Sequence, residues 1–474
     1  MRPVSQTPAG QILIQTLVFG AIGVFLLGGL VGWIGLSART ARFTLDRERS
    51  IQIAEAGVDY YRWHLAHAPQ DYQDGTGMPG PYVHDFSDKD GNVIGQFSLD
   101  ITPPSLGSTR VIVRSTGTLS ANPLASRAVE AQLGIPSWAR YAWALNDFVR
   151  FGTAAEVFGP IHSNSGIRFD GLAHNVVTSA RDQFDDPDHS GAEEFGVHTH
   201  VAPTDPLPPA PVPARPTIFE AGRQFPVPQI NFAGLTADLA QLRTDAQTSG
   251  RYFSNSGALG YHIVFRADDT FDLYRVNSLV APPGGCSSGG VSGWGTWSIP
   301  AGGESLLQNY ALPANGITFV EDHLWVDGQI ASARVTVASG RFPDNPSTRT
   351  NIIVNNDLRY TNYDGQDAIG LIAQGNFNVG LRSADTLRID AAIIAQNGRI
   401  GRYSYSSSCG TGYIRTLFTS YGMLGSNLRS VFSYGSNGYS SRVYNYDVNL
   451  LYSPPPSFPL TSDQYVILSW EEIE

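Results

Sequence analysis

Gln11 to Leu36 reads QILIQTLVFGAIGVFLLGGLVGWIGL, and no charged residue stands between Arg2 and Arg39. At 1.5 Å of rise per residue, this stretch as an α-helix exceeds the ~30 Å hydrocarbon core of a bilayer. It is longer than the apolar part of a secretory signal and no small-residue cleavage site follows it, so it reads as a membrane span. The pattern continues past the span. Phe43, Ile51, Ala54, Val58, Tyr61 and Leu65 recur at helical spacing, while Glu48, Gln52, Glu55, Asp59 and Arg62 hold the other face. With no proline between Pro8 and Pro69, the spacing predicts one helix over about 11–67, apolar all round in its first half and amphipathic in its second. Arg39, Arg42, Arg47 and Arg49 follow the span and only Arg2 precedes it. By the positive-inside rule that asymmetry would hold the C-terminal bulk in the cytoplasm.

Composition argues the other way. Of 474 residues only 15% are charged, with 50 Gly, 30 Pro and 2 Cys, a texture of β-rich surface proteins more than of cytosolic helical enzymes. The length allows two or three domains. A net charge of −11 and a pI near 5.4 speak against a nucleic-acid-binding face. Lys89 is the single lysine, which excludes a phosphate-binding P-loop and lysine-linked pilin chemistry. Cys286 and Cys409 both sit in Gly/Ser-rich stretches. They are too few for a disulfide framework, and either one bridge or two free thiols fits them.

The opening Gly10-Gln11-Ile12-Leu13-Ile14 and the stretch Ile53-Ala54-Glu55-Ala56-Gly57-Val58-Asp59-Tyr60-Tyr61 resemble the PilX-type N-terminal family of type IV pilus minor pilins and fimbrial biogenesis proteins, over about the first 70 residues. The resemblance implies a leader over 1–10, processing between Gly10 and Gln11 by a prepilin-type peptidase, and a helix, including Gln15, Glu55 and Gly57, that packs against other pilin-like subunits. Two positions depart from the family. Where it usually carries Glu to neutralise a neighbour's terminal amine, Gln15 stands here, and its usual Phe or Met at the new N-terminus is Gln11. A hydrogen-bonding Gln is a weaker partner for an amine than a carboxylate. With an oversized head, this implies a minor or tip subunit. Bilayer anchor and filament core are then alternative burials of one apolar surface.

Beyond the helix the chain is expected to be mainly β: a small antiparallel β-meander, then an irregular parallel β-solenoid-like domain with an inserted subdomain. Residues 68–136 hold three alternating runs, Phe97/Leu99/Ile101, Val111/Val113 and Val129/Ala131/Leu133/Ile135, which predict the meander. Short apolar runs broken by Gly and Asn fill 137–200 and 301–445, the pattern of stacked short strands. A β-sandwich is the competing architecture. Between them, 201–216 carries seven prolines and reads as an extended linker. Residues 217–300 read as an inserted α/β subdomain, with a helix capped by Thr236 and a hairpin at Asp268-Asp269. Residues 446–474 read as a tail capping the solenoid end.

Few constellations promise chemistry. His198-Thr199-His200 would place both imidazoles on one face of a strand, near His189, Asp185, Asp186 and Asp188. Nothing in the spacing supplies a third ligand, so no metal is assigned. Asp88-Lys89-Asp90-Gly91-Asn92 fails as a calcium loop, because the first and twelfth ligand positions are Phe86 and Phe97, and a hairpin turn explains it better. Gly285-Cys286-Ser287-Ser288-Gly289 matches G-x-S-x-G without the strand and helix a nucleophile elbow needs. Asp385, Arg388 and Asp390 would lie in one solenoid turn, Arg388 and Asp390 on one face, as solvated outward positions more readily than as the acid and base of a glycosidase. Eight tyrosines from Tyr403 to Tyr446 suit either an adhesive surface or packing beneath loops. The sequence thus points to a non-enzymatic type IV pilin-like minor or tip subunit without cofactor, single-pass in the cell membrane with its C-terminal bulk at the surface. Its partners would be other pilin-like subunits and a surface glycan or protein. The alternative is a permanently anchored surface protein whose solenoid binds or degrades glycans.

Overall fold

A computed structural model describes residues 9–232, 235–289 and 292–473, so residues 1–8 of the expected leader lie outside the described residues. The chain divides into two compact units: one gathers Met1–Pro103, Val111–Gly134 and Gln464–Glu474, the other Pro104–Arg110 and Ile135–Asp463.

In the first unit, α1 (Ala9–His67) is one unbroken helix of 59 residues, about 90 Å long. It stops where Pro69 removes the next amide hydrogen and disfavours a helical residue before it. Its second half lies on an antiparallel sheet of β1 (Tyr82–Ser87), β2 (Val93–Thr102), β3 (Val111–Leu119) and β4 (Asn122–Gly134), completed by the C-terminal strand Val466–Ile473 on the β4 edge. Phe97 and Leu99, Val111 and Val113, and Val129, Ala131 and Leu133 alternate inward and are buried, as are Ile53, Ala54, Val58, Tyr61 and Leu65 of the helix. The expected meander is therefore present, with two more strands than the three runs indicated. Contact is closest at glycines. A Cβ on Gly117 would lie 2.1 Å from the Ser50 carbonyl oxygen, and one on Gly57 would lie 2.3 Å from Ser115 Oγ. The C-terminal strand corrects the expected capping tail. Val466–Ile473 pairs with β4, Trp470 opposite Ala131, and Glu472 forms an ion pair with Arg127.

In the second unit, parallel ladders dominate, which excludes the antiparallel sandwich. The principal ladder runs Arg251–Phe253, Ile317–Val320, Arg334–Ser339, Ala368–Ala373, Thr386–Ala395, Ile414–Ser426, Trp143–Leu145, Ile161–Ser163, Val177–Ser179 and Arg223–Gln224. The chain's first block thus stacks beyond its last. Alternation sorts the apolar runs. Val320, Val337, Leu371, Ile393, Leu424 and Leu145 face one core, and Phe319, Ala338, Ile372, Ile394, Met423 and Ala144 face another. Strands buried on both sides read as continuous apolar runs. Corner amides bond along the stack: Asn164 Nδ2 donates to Asn146 Oδ1, and Asn146 Nδ2 to Asn427 Oδ1, both at 2.8 Å.

The region 217–300 is not a separate insert. Gly260–Arg266 pairs in parallel with Leu324–Ile330 and forms the expected hairpin with Thr270–Val276, which pairs with Glu304–Ala311. Residues 225–232 and 235–250 return along the ladder and cover its second core. Ile230 exchanges hydrogen bonds of 2.7 Å with the Asn164 amide, Phe232 meets Trp138 edge-on, and Leu239, Leu242 and Ala246 pack in. The last three belong to α2 (Leu235–Thr248), which opens one residue before Thr236, whose side chain lies outside the described residues. The proline segment 201–216 is not an extended spacer either. The Asp205 carboxylate pairs with Arg215 and Arg223, and Arg215 reaches back to the Val201 carbonyl at 2.7 Å, so charge closes the segment into a loop. Residues 448–460 lie beside the strands rather than over a ladder end. Arg334 donates to the carbonyls of Ser453 and Pro454, and Phe458 joins the second core.

Candidate functional site

The first half of α1 is the largest exposed apolar surface among the described residues. Its most hydrophobic 18-residue window has a mean hydropathy of 2.3 and none of it is buried. Ile12, Leu13, Ile14, Leu17, Phe19, Phe25, Leu26, Trp33 and Leu36 stand exposed on every side. A surface this large signals contact with lipid or with other apolar helices. A methyl added at Gly28, Gly29, Gly32 or Gly35 would meet nothing within 4 Å, and small residues let membrane helices approach closely. Gln15 lies exposed within this half. Helix α1 runs through Gly10 and Gln11, the expected processing point. In the A-E-A-G segment the structure separates packing from display: Ala54 and Gly57 are buried on the sheet while Glu55 is exposed.

Cys286 and Cys409 form a disulfide, with Cα atoms 4.4 Å apart across 123 residues of sequence. The bridge occupies the cysteine of the G-x-S-x-G match. The aromatic stretch is packing rather than display. Tyr403, Tyr405, Tyr439 and Tyr444 are buried, and Tyr413, Tyr421, Tyr434 and Tyr446 are half-buried. The Tyr403, Tyr405 and Tyr439 hydroxyls donate to the carbonyls of Gly293, Gly295 and Ala384. Among them Arg402 is fully buried, its guanidinium donating to the Tyr413, Leu381 and Gly412 carbonyls and stacked 4.9 Å over Tyr405. Loss of water pushes its pKa down to about 10.

The acidic candidates are engaged. Arg388 and Asp390 share a strand face and pair at 2.8 Å, and Asp390 also accepts from the Tyr363 hydroxyl at 2.7 Å and the Tyr360 amide at 3.1 Å. Asp385 binds the Thr416 hydroxyl and amide. These carboxylates are therefore not a free pair facing a common cleft. In Asp88–Asn92, Asp88 Oδ1 accepts the Asp90 and Asn92 amides at 2.9 Å in the turn between β1 and β2.

The histidine cluster is different. Asp186, Glu194, His198 and His200 converge, with donor atoms all within 4.8 Å of one another. Glu194 lies on Glu194–Phe195, which pairs with Gln183–Phe184, and His198 ends Val197–His198, which runs beside Ile167–Phe169. His189 only touches the His200 ring edge-on at 4.7 Å, and Asp188 turns to Arg429. Asp185 is exposed. Glu194 is not evident from the sequence pattern, although its i,i+4 spacing to His198 is a signal. A second unforeseen arrangement is His262, whose Nδ1 lies 2.8 Å from Glu304 and Nε2 3.3 Å from Asp327. Burial opposes its positive charge, but hydrogen bonds to the two carboxylates outweigh it and raise the pKa to about 9. Close to the cluster is a cleft of about 1000 Å³ lined in part by Arg150, Arg399, Arg429, Arg442, Asp170 and Asp188.

No family model matches the chain, the PilX-type N-terminal family included, and no curated protein matches it. Among solved structures, the competence-associated pilin ComZ from Thermus thermophilus aligns over 90% of this chain and 98% of its own, at 12% sequence identity and a TM-score of 0.29. At that level of likeness no residue role passes from one to the other.

Proposed function

We propose that this chain is a type IV pilin-like subunit, anchored in the membrane by the first half of α1 and displayed at the cell surface, acting without catalysis as a minor or tip subunit or pilus-assembly protein. The observation that carries the reading is α1 itself: one continuous helix whose first half exposes apolar side chains all round and whose second half buries one face on a sheet. Such a helix can leave a bilayer for a bundle of like helices without exposing its apolar surface to water. The size of the second unit suits a position where heads are not repeated at every subunit. The test is the intact mass and N-terminal sequence of the protein from membranes and from sheared surface filaments. A chain beginning at Gln11 in the sheared fraction supports processing by a prepilin-type peptidase and assembly. A full-length chain confined to membranes overturns both.

The arginine-lined cleft favours a second reading, a permanently anchored protein that binds anionic glycans. Saturable glycan binding by a full-length chain that never leaves the membrane would select it.

A further inference from the structure

We propose that Asp186, Glu194, His198 and His200 bind one zinc ion in a structural site. The four residues present two imidazole nitrogens and two carboxylate oxygens to one point. His198 Nε2 lies 3.0 Å from Glu194 Oε2 and 3.6 Å from Asp186 Oδ2, and His200 Nε2 lies 2.5 Å from Glu194 Oε1. Tetrahedral zinc, with bonds of ~2.0–2.2 Å, spaces its ligand atoms roughly 3.3–3.6 Å apart, the scale of the two His198 distances, while the short His200–Glu194 contact is a hydrogen bond that the ion would replace.

The stronger observation is what these atoms do not do. Asp186 Oδ2, Glu194 Oε2 and His198 Nε2 are buried without a hydrogen-bond partner, in residues only 2%, 6% and 1% exposed. His198 Nε2 and Glu194 Oε2 are near enough to bond but do not meet along a donor–acceptor line. Buried polar atoms are rarely left so, and three from one cluster facing each other indicate a shared partner.

The surroundings fit a metal. His198 Nδ1 lies 2.9 Å from the Phe195 carbonyl oxygen and donates to it, which leaves the Nε2 lone pair directed inward, the usual second support of a ligand histidine. Arg168 is 3.5 Å from Asp186 but gives its Nε to Asp170 at 2.9 Å, and Asp170 also accepts the His200 amide at 2.9 Å. The guanidinium charge is thus shared with Asp170, and a dication would balance Asp186 and Glu194. By contrast, each ring nitrogen of His174 and of His262 faces its own carboxylate, the arrangement of a charged imidazolium. Two imidazoles with two carboxylates suit zinc better than calcium or magnesium, which take oxygen alone. Four protein ligands leave no open position, which makes the site structural. The ion would fasten the loop 185–193 to the strands bearing Glu194 and His198.

The test uses the full chain in detergent, stripped with chelator and dialysed against micromolar zinc chloride. One zinc per chain by mass spectrometry of metals, with a higher melting temperature than the stripped chain, is the expected result. Cobalt in place of zinc reports on the unaltered chain: intense visible bands of a tetrahedral ion are expected, and the weak spectrum of an octahedral ion would overturn the site. His198→Ala and, for the half-buried ligand, His200→Gln should weaken zinc binding by more than the roughly 10–100-fold typical of losing a group that only hydrogen-bonds to a ligand. No zinc retained by the intact chain, or equal zinc retained by both variants, overturns the proposal.

Discussion

Gly117→Ala tests how α1 is seated. The added methyl would stand 2.1 Å from the Ser50 carbonyl oxygen, 2.5 Å from the Ala54 nitrogen and 3.1 Å from the Ile53 carbonyl carbon. Unstrained contacts begin at roughly 3.5 Å, so helix and β3 would have to part by about 1.4 Å. All three obstructing atoms are helix backbone, and no rotamer change relieves them. Parting would also loosen Ile53, Ala54 and Val58 from Phe97, Val113 and Val129, all buried. Overpacking costs about 1–3 kcal/mol where side chains can yield. With backbone in the way, ~3 kcal/mol or more is expected, a fall in melting temperature of roughly 10–20 °C for about 100 residues of helix and sheet. The assay is hydrogen exchange of the chain in detergent, following peptides over 93–134 with 368–395 as internal control. Exchange should quicken on β2–β4 and stay unchanged in the control. Gly57→Ala makes the contrast: its obstructions are Ser115 Oγ at 2.3 Å and the Phe97 ring at 2.9 Å, side chains able to shift. Alanine also recovers ~1 kcal/mol of helix propensity, so a net cost of about 0–2 kcal/mol is expected. Wild-type exchange and melting in Gly117→Ala would refute the seating of the helix on the sheet.

His262 carries a pH dependence. Its folded pKa of about 9 lies above the ordinary 6.5, so its contribution is whole below about pH 6.5 and is lost as the pH rises through 9. That contribution is on the order of 3 kcal/mol, and melting of His262→Gln between pH 6.5 and 9.5 should lack that component. Replacing Arg402 by Met leaves the Gly412 and Tyr413 carbonyls without this donor, while Leu381 keeps Arg415, and should cost at least about 1–3 kcal/mol, read as denaturant midpoint. Substituting both Cys286 and Cys409 by Ser opens a closure of 123 residues and should destabilise the second unit by roughly 4–5 kcal/mol on the chain-entropy account. Exchange of α1 and its sheet should be unaltered.

Local periodicity made the helix and the inner strands legible. The 3.6-residue recurrence of Ile51, Ala54, Val58, Tyr61 and Leu65 and the twofold alternation around Phe97, Val111 and Val129 are properties of neighbouring residues, and burial follows from them. β1 was less visible because its sequence, YVHDFS, buries only Tyr82 fully. The C-terminal strand was invisible for another reason: VILSWEEI is exposed along most of its length and pairs at an edge through its backbone. The hairpin at Asp268-Asp269 was legible, but its attachment to Leu324–Ile330 was not.

Chain-local pattern thus specified what each segment becomes: an apolar half-helix, an amphipathic half-helix, a meander and short strands with apolar runs. Which segments meet was decided by complementarity between surfaces far apart in sequence. Trp143–Leu145 stacks on Leu424–Ser426, Ile230 bonds to Asn164, and Cys286 finds Cys409. The same holds at the histidine cluster. His198 and His200 share a face by alternation, whereas Asp186 reaches them because a loop folds back over Glu194–Phe195. Periodicity acts over a few residues, while loop closure between remote segments depends on the packing each pairing buries.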